Sequence, residues 1–148
     1  MKAAICYEFG KPLVIEDVTL DAPQAGEVKA QIAVTGICHS DLHLLAGEWG
    51  GATPVIAGHE SSGTVLAVGA GVMAYKPGNR VIVTLMRQCG KCFYCAQGFP
   101  QRCETIFALD RESRIHNQRG EAIRHGIRTA SFAEEVIVHE SQIGLYRL

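Results

Sequence analysis

The 148-residue chain has no apolar run approaching the ~20 residues that a membrane-spanning helix needs, so a helical span is set aside. Basic charge is lacking too: 14 Lys and Arg stand against 15 Asp and Glu, a formal net charge of -1. Nucleic-acid binders carry a strong basic excess and aromatic stacking platforms. With 7% aromatic residues and one Trp, this chain matches neither requirement. Its opening, Met1 to Glu8, turns acidic too early for a secretory leader. Repeats, low-complexity tracts and linker-like stretches are absent as well. What remains is 47% hydrophobic and 20% charged, an ordinary globular balance with enough length for one core rather than a disordered chain. The expectation is one soluble, cytoplasmic domain without membrane or nucleic-acid partners.

Strand signals dominate. Lys2–Tyr7 and Leu13–Val18 are short extended candidates, and Glu27–Val34 alternates polar with apolar, the period of a half-buried strand. Ser62–Val68, Arg80–Leu85 and Ala133–Val138 are further strand candidates, the first two separated by Gly- and Pro-containing turns. One short helix is predicted from Ser40, as cap, through Leu45, stopped by Gly47. Many short strands between such turns predict a mainly β barrel or sandwich.

Four of the six cysteines fall within fifteen residues: Cys89, Cys92, Cys95 and Cys103, in the spacing C-x2-C-x2-C-x7-C. Four thiolates so spaced suit one tetrahedral zinc and leave no position for substrate, so such a site is a structural staple. An iron–sulfur cluster also uses four cysteines, but the bacterial run places its last one sooner and follows it with proline, where this chain has Glu104. A redox C-x-x-C would leave two cysteines without a role. A second group, Cys38, His59 and Glu60, offers the mixed donors of an open zinc site. Spacing alone leaves open the simpler readings, Cys38 as a small buried hydrophobe and His59 as a hydrogen-bonded histidine. Five arginines between Arg111 and Arg128 form either a solvated loop or a contact for a phosphate or another subunit.

Gly58-His59-Glu60-x2-Gly63-x5-Gly69-x2-Val72 resembles, position for position, the signature of the zinc-dependent medium-chain alcohol dehydrogenases. The four-cysteine run resembles that family's structural zinc lobe, and Thr35 to Asp41 its first catalytic-zinc segment. The resemblance spans nearly the whole chain and implies a GroES-like, mainly β fold. It further implies that Cys38 and His59 ligate a catalytic zinc, with Glu60 approaching the metal or orienting its shell. Ser40 takes the place of the hydroxyl that receives the alcohol proton, and His43 that of the relay's outer end, reached through the cofactor ribose. His39 faces the cofactor pyrophosphate, and Trp49 lines the substrate pocket in some members, its simpler reading being an ordinary half-buried aromatic. The cofactor implied is NAD or NADP, and the substrate a small alcohol or aldehyde.

Two departures stand out. Asn79 replaces the aspartate usual before Arg80, which is expected to weaken that turn. No GxGxxG loop is present, so the Rossmann half, with its additional zinc-ligating cysteine, is expected to lie outside this chain. Cys6, the remaining cysteine, reads as a core residue. Alone, the chain is expected to be inactive, with an apolar face toward the missing half that favours a homo-oligomer. The competing reading is a non-catalytic, zinc-stapled binding or assembly module.

Overall fold

The computed structural model describes residues 1–146. Eleven strands, β1 (Lys2–Cys6), β2 (Val14–Asp17), β3 (Thr19–Leu20), β4 (Glu27–Thr35), β5 (Val55–Ile56), β6 (Ser61–Val68), β7 (Arg80–Val83), β8 (Ile115–His116), β9 (Ala122–His125), β10 (Glu135–His139) and β11 (Ile143–Leu145), form two sheets. One has the order β2-β1-β5-β9-β8-β3, the other β10-β4-β6-β7-β11. Pairing is antiparallel except between β5 and β9. The helices are α1 (His39–Ala46) and α2 (Phe93–Ala96). No helix of the described residues is long and apolar enough to cross a membrane.

Each sheet buries its own cluster. Val28, Ala30, Val65, Val81, Val83 and Val136 fill the five-stranded side. Ala3, Ile5, Val18, Ile56, Ile115 and Ile123 fill the other. β-Branched residues suit such pleated surfaces, and β7 shows the alternation directly, with Val81 and Val83 inside and Arg80 and Ile82 outside. Cys6 is buried at the end of β1, its thiol pushed up by burial, and belongs to neither cysteine cluster. Gly63 sits where β6 crosses β4 beside a bulge: a Cβ there would lie 1.9 Å from the Gln31 carbonyl oxygen.

The predicted strands are present with shifted ends, and two expectations need correction. The helix begins one residue before Ser40, with Cys38 rather than Ser40 at the cap, because the Asp41 carboxylate accepts the Cys38 N–H at 3.1 Å and turns the chain earlier. The turn before Arg80 is also not left open by Asn79, whose Oδ1 accepts the Lys76 N–H at 3.0 Å, as a carboxylate would. The arginine segment is not uniformly solvated. Arg114 is 2% exposed and donates through Nε and one NH₂ group to both oxygens of the equally buried Glu27, at 3.1 and 2.9 Å. This pair joins the start of β8 to the start of β4, and so one sheet to the other.

Candidate metal centres

The long excursion after β7 carries the four cysteines. Cys89 opens it, Cys92 caps α2, Cys95 lies within α2, and Cys103 follows a 3₁₀ turn at Pro100–Arg102. Neither the helix nor the turn has a buried residue, and Phe93 and Phe99 are exposed, so apolar packing does little to hold the excursion. The four sulfurs nevertheless lie within 4.8 Å of one another, with Cys92 and Cys103 3.9 Å apart. Ligands 2.3 Å from a tetrahedral ion stand about 3.8 Å from each other. The set therefore fits one thiophilic ion, and zinc is the match in donor type and number.

The electrostatics of the lobe agree. The Thr105 hydroxyl, then the Lys91 and Cys92 N–H groups, pull the Cys89 thiol down to about 6. Burial and the adjacent Cys92 push Cys95 up to about 11. One sulfur is prepared as thiolate while a neighbour resists ionising, the conflict that a cation among them relieves.

The second group joins two segments far apart in sequence. Cys38 stands at the start of α1, and His59 and Glu60 lie between β5 and β6. Their donor atoms also lie within 4.8 Å of one another. Asp41, absent from the sequence-derived site, links the segments. Its fully buried carboxylate takes the Cys38 N–H through one oxygen, and the Gly58 N–H (2.8 Å) and His59 Nδ1 (3.0 Å) through the other. A carboxylate on Nδ1 fixes the proton there and leaves Nε2 as the lone-pair donor, the arrangement that orients metal-binding histidines. Gly58 is at φ +93°, and a Cβ would lie 2.7 Å from the Phe132 nitrogen, so no other residue fits before His59. The cluster borders a cleft of about 340 Å³ whose walls include Val34, Gly36, His59, Glu60 and Ile82. One sulfur, one imidazole and one carboxylate suit zinc and leave a coordination position vacant for a further ligand.

The remaining candidates share α1 and the turn after it. The Ser40 hydroxyl is 3.6 Å from the Cys38 sulfur. His39 meets His43 edge-on at 4.6 Å between ring centroids, and Trp49 stacks on His43 at 5.8 Å. Trp49 is 57% exposed and is not among the residues of the 340 Å³ cleft. Glu48, also unpredicted, holds His43 Nδ1 at 2.5 Å. The readable signal for Asp41 was its place three residues after a cysteine at a helix start; Glu48 carried no such pattern.

Comparison with known proteins gives a consistent picture. Residues 24–147 match the family model described as the alcohol dehydrogenase GroES-like domain. The chain is 37% identical, over 95% of its length, to S-(hydroxymethyl)glutathione dehydrogenase of Saccharomyces cerevisiae. It is 38% identical, over 96% of its length, to alcohol dehydrogenase class-3 of Pisum sativum. It covers 39% and 40% of those two proteins, about two fifths of the curated relatives it matches. Among solved structures, an alcohol dehydrogenase zinc-binding domain protein from Burkholderia ambifaria superposes with a TM-score of 0.91 at 30% identity, covering 99% of this chain and 41% of that one.

Proposed function

The chain belongs to the zinc-dependent medium-chain alcohol dehydrogenase family, through its GroES-like domain, and from that premise we propose that it is the catalytic part of an enzyme that oxidises alcohols to aldehydes or ketones with NAD or NADP. The observation that carries this reading is the convergence of Cys38, His59 and Glu60 beside an open cleft, locked by Asp41. Cys38 and His59 would hold a catalytic zinc, with Glu60 close enough to adjust its shell, and Cys89, Cys92, Cys95 and Cys103 a structural one. Bound there, zinc supplies a Lewis acid that lowers the pKa of an alcohol hydroxyl by many units.

The chain's own residues would do the rest. Ser40, beside the Cys38 sulfur, receives the hydroxyl proton. His43, one helical turn along the same face, carries it outward, with its ring held by Glu48 and in contact with His39 and Trp49. A bound nicotinamide cofactor would supply the hydride acceptor, while the protein supplies position and field. The nucleotide-binding half of the longer relatives would seat the cofactor, with His39 facing its pyrophosphate, and would close the substrate pocket.

The test joins this chain to such a half. Ser40→Ala should cost about 10²-fold or more in hydride transfer, the scale of a positioned proton-transfer group. His59→Ala should abolish it. The 148-residue chain alone should reduce neither NAD nor NADP with any simple alcohol. Normal rates in both variants would overturn the roles given to Ser40 and His59, and a joined parent protein with no alcohol oxidation at all would instead favour a zinc-stapled binding module.

A further inference from the structure

The arginine-rich segment has no part in the proposed reaction, yet it builds a cavity. Arg111, Arg124 and Arg128 meet Arg87, Asp110 and His125 around a cleft of about 450 Å³. Arg87 is 4% exposed; one NH₂ group donates to Asp110, and its plane lies over Phe107, with Cζ 5.2 Å from the ring centroid. Its Nε and other NH₂ group are buried and have no partner. His125 accepts the Arg114 backbone N–H at Nε2 (3.4 Å), so its proton resides on Nδ1, which is also buried without a partner. Among the described residues, no other buried side-chain nitrogen or oxygen lacks a partner. All three are donors, and both residues line the same cleft. Buried polar groups are paired in folded proteins, so a deficit made only of donors calls for acceptor oxygens from outside the chain.

The charge balance narrows the class. Asp110 is engaged by Arg87, while Glu112 and Glu27 are engaged by Arg114. Arg124 gives one NH₂ group to the Ala52 carbonyl at 3.2 Å. Arg111 and Arg128 are exposed at the rim, and neither side chain has a partner among the described residues. Four guanidinium groups and two carboxylates line the cleft, and the Arg114–Glu27 pair outside its lining cancels, leaving an excess of two positive charges. His125 adds none near neutrality, because burial, then Arg87 and Arg114, lower its pKa to about 4. A monocarboxylate would offset half of that excess; a phosphate dianion matches it and brings three acceptor oxygens to guanidinium forks suited to them.

We propose that this cleft binds a phosphate group, free or as the head of a small phosphate monoester. The site is independent of the dehydrogenase reading, and its volume falls within the range of small-ligand pockets.

Titration calorimetry of the chain in low-salt, phosphate-free buffer tests this with inorganic phosphate, phenyl phosphate and benzoate. Both phosphates should bind saturably, about tenfold or more tighter than benzoate. A tighter fit for phenyl phosphate identifies an ester as the natural occupant; equal affinities identify free phosphate. Because Arg87 is buried and its loss endangers the fold, the variants are taken from the rim. Arg111→Gln and Arg128→Gln should each weaken phosphate binding about tenfold. Arg119→Gln, whose side chain pairs with Glu121 and does not line the cleft, should leave it unchanged. Phosphate should also shift the NMR signals of the Arg87 Nε–H and His125 Nδ1–H. No phosphate binding at roughly 10 mM, benzoate binding as tight as phosphate, or full affinity in both rim variants would overturn the proposal.

Discussion

Asp41 and His59 form a buried carboxylate–imidazole pair, 3.0 Å from Oδ1 to Nδ1, with the carboxylate wholly enclosed and the imidazole nearly so. The same carboxylate takes the backbone N–H groups of Cys38 and Gly58, so one side chain sets the spacing between two candidate zinc ligands. Asp41→Asn keeps the shape but turns an N–H toward groups that are themselves donors. Zinc affinity at Cys38 and His59 should fall about 10–100-fold, the usual scale for losing such a partner. Chelator competition followed by metal analysis reads this, and zinc in the four-cysteine lobe should be unaffected.

The lobe should respond instead to sulfur loss. With no buried side chain in α2 or the adjoining 3₁₀ turn, its order should depend on a bound metal. Cys92→Ser should remove about one zinc per chain and open residues 89–103 to proteases, as followed by mass spectrometry of the digest. Iron with visible absorbance, or no metal in fully reduced protein, would count against zinc.

A third outcome concerns the bond between the sheets. Arg114→Ala strands Glu27, 2% exposed, without its counter-charge, at a cost of roughly 3–5 kcal/mol. Arg114→Lys keeps the charge but not the two-pronged geometry, and should lose less. Urea denaturation of the three proteins gives the order directly.

Acid sensitivity should follow His125. Its folded pKa of about 4 lies below the usual 6.5, so between those values the unfolded chain takes up a proton that the native state refuses. Its contribution to stability is therefore full above about pH 6.5 and is lost as the pH falls toward 4, on the order of 3 kcal/mol in all. Denaturant midpoints across this window should drop more steeply for the parent than for His125→Gln.

The long strands and the metal-ligand runs were legible because each repeats a pattern: alternation in Glu27–Val34, fixed spacing from Cys89 to Cys103. β5, β8 and β11 are two or three residues long, too short for a period to emerge. Arg114 and Arg128 look alike in sequence, yet one is buried against Glu27 and the other lies on the rim of a cleft. That distinction is made by residues 87 positions away, beyond the reach of any local pattern. Asp41 escaped for a related reason: its burial depends on Gly58 and His59 arriving from another segment.

The seam near the ends of the described chain bears on the order of folding. Ala3 bridges Ala133, the Ala4 N–H reaches the Phe132 carbonyl, and the Lys2 N–H reaches a Glu134 carboxylate 132 residues later. Parallel pairing of β5 with β9, Val55 opposite Arg124, is likewise long-range. Contacts of such separation meet the full entropy of loop closure before any of it is recovered, and they form late. On the ribosome, β1 can pair early with β2, yet it cannot close this seam until residue 134 has emerged. The segment that then closes on it, Ser131 and Phe132, also donates its backbone N–H groups to the Gly58 and Ala57 carbonyls. Assembly of the His59 neighbourhood thus waits for Ser131 and Phe132, and a metal ion would meet a prepared site only after those residues have emerged.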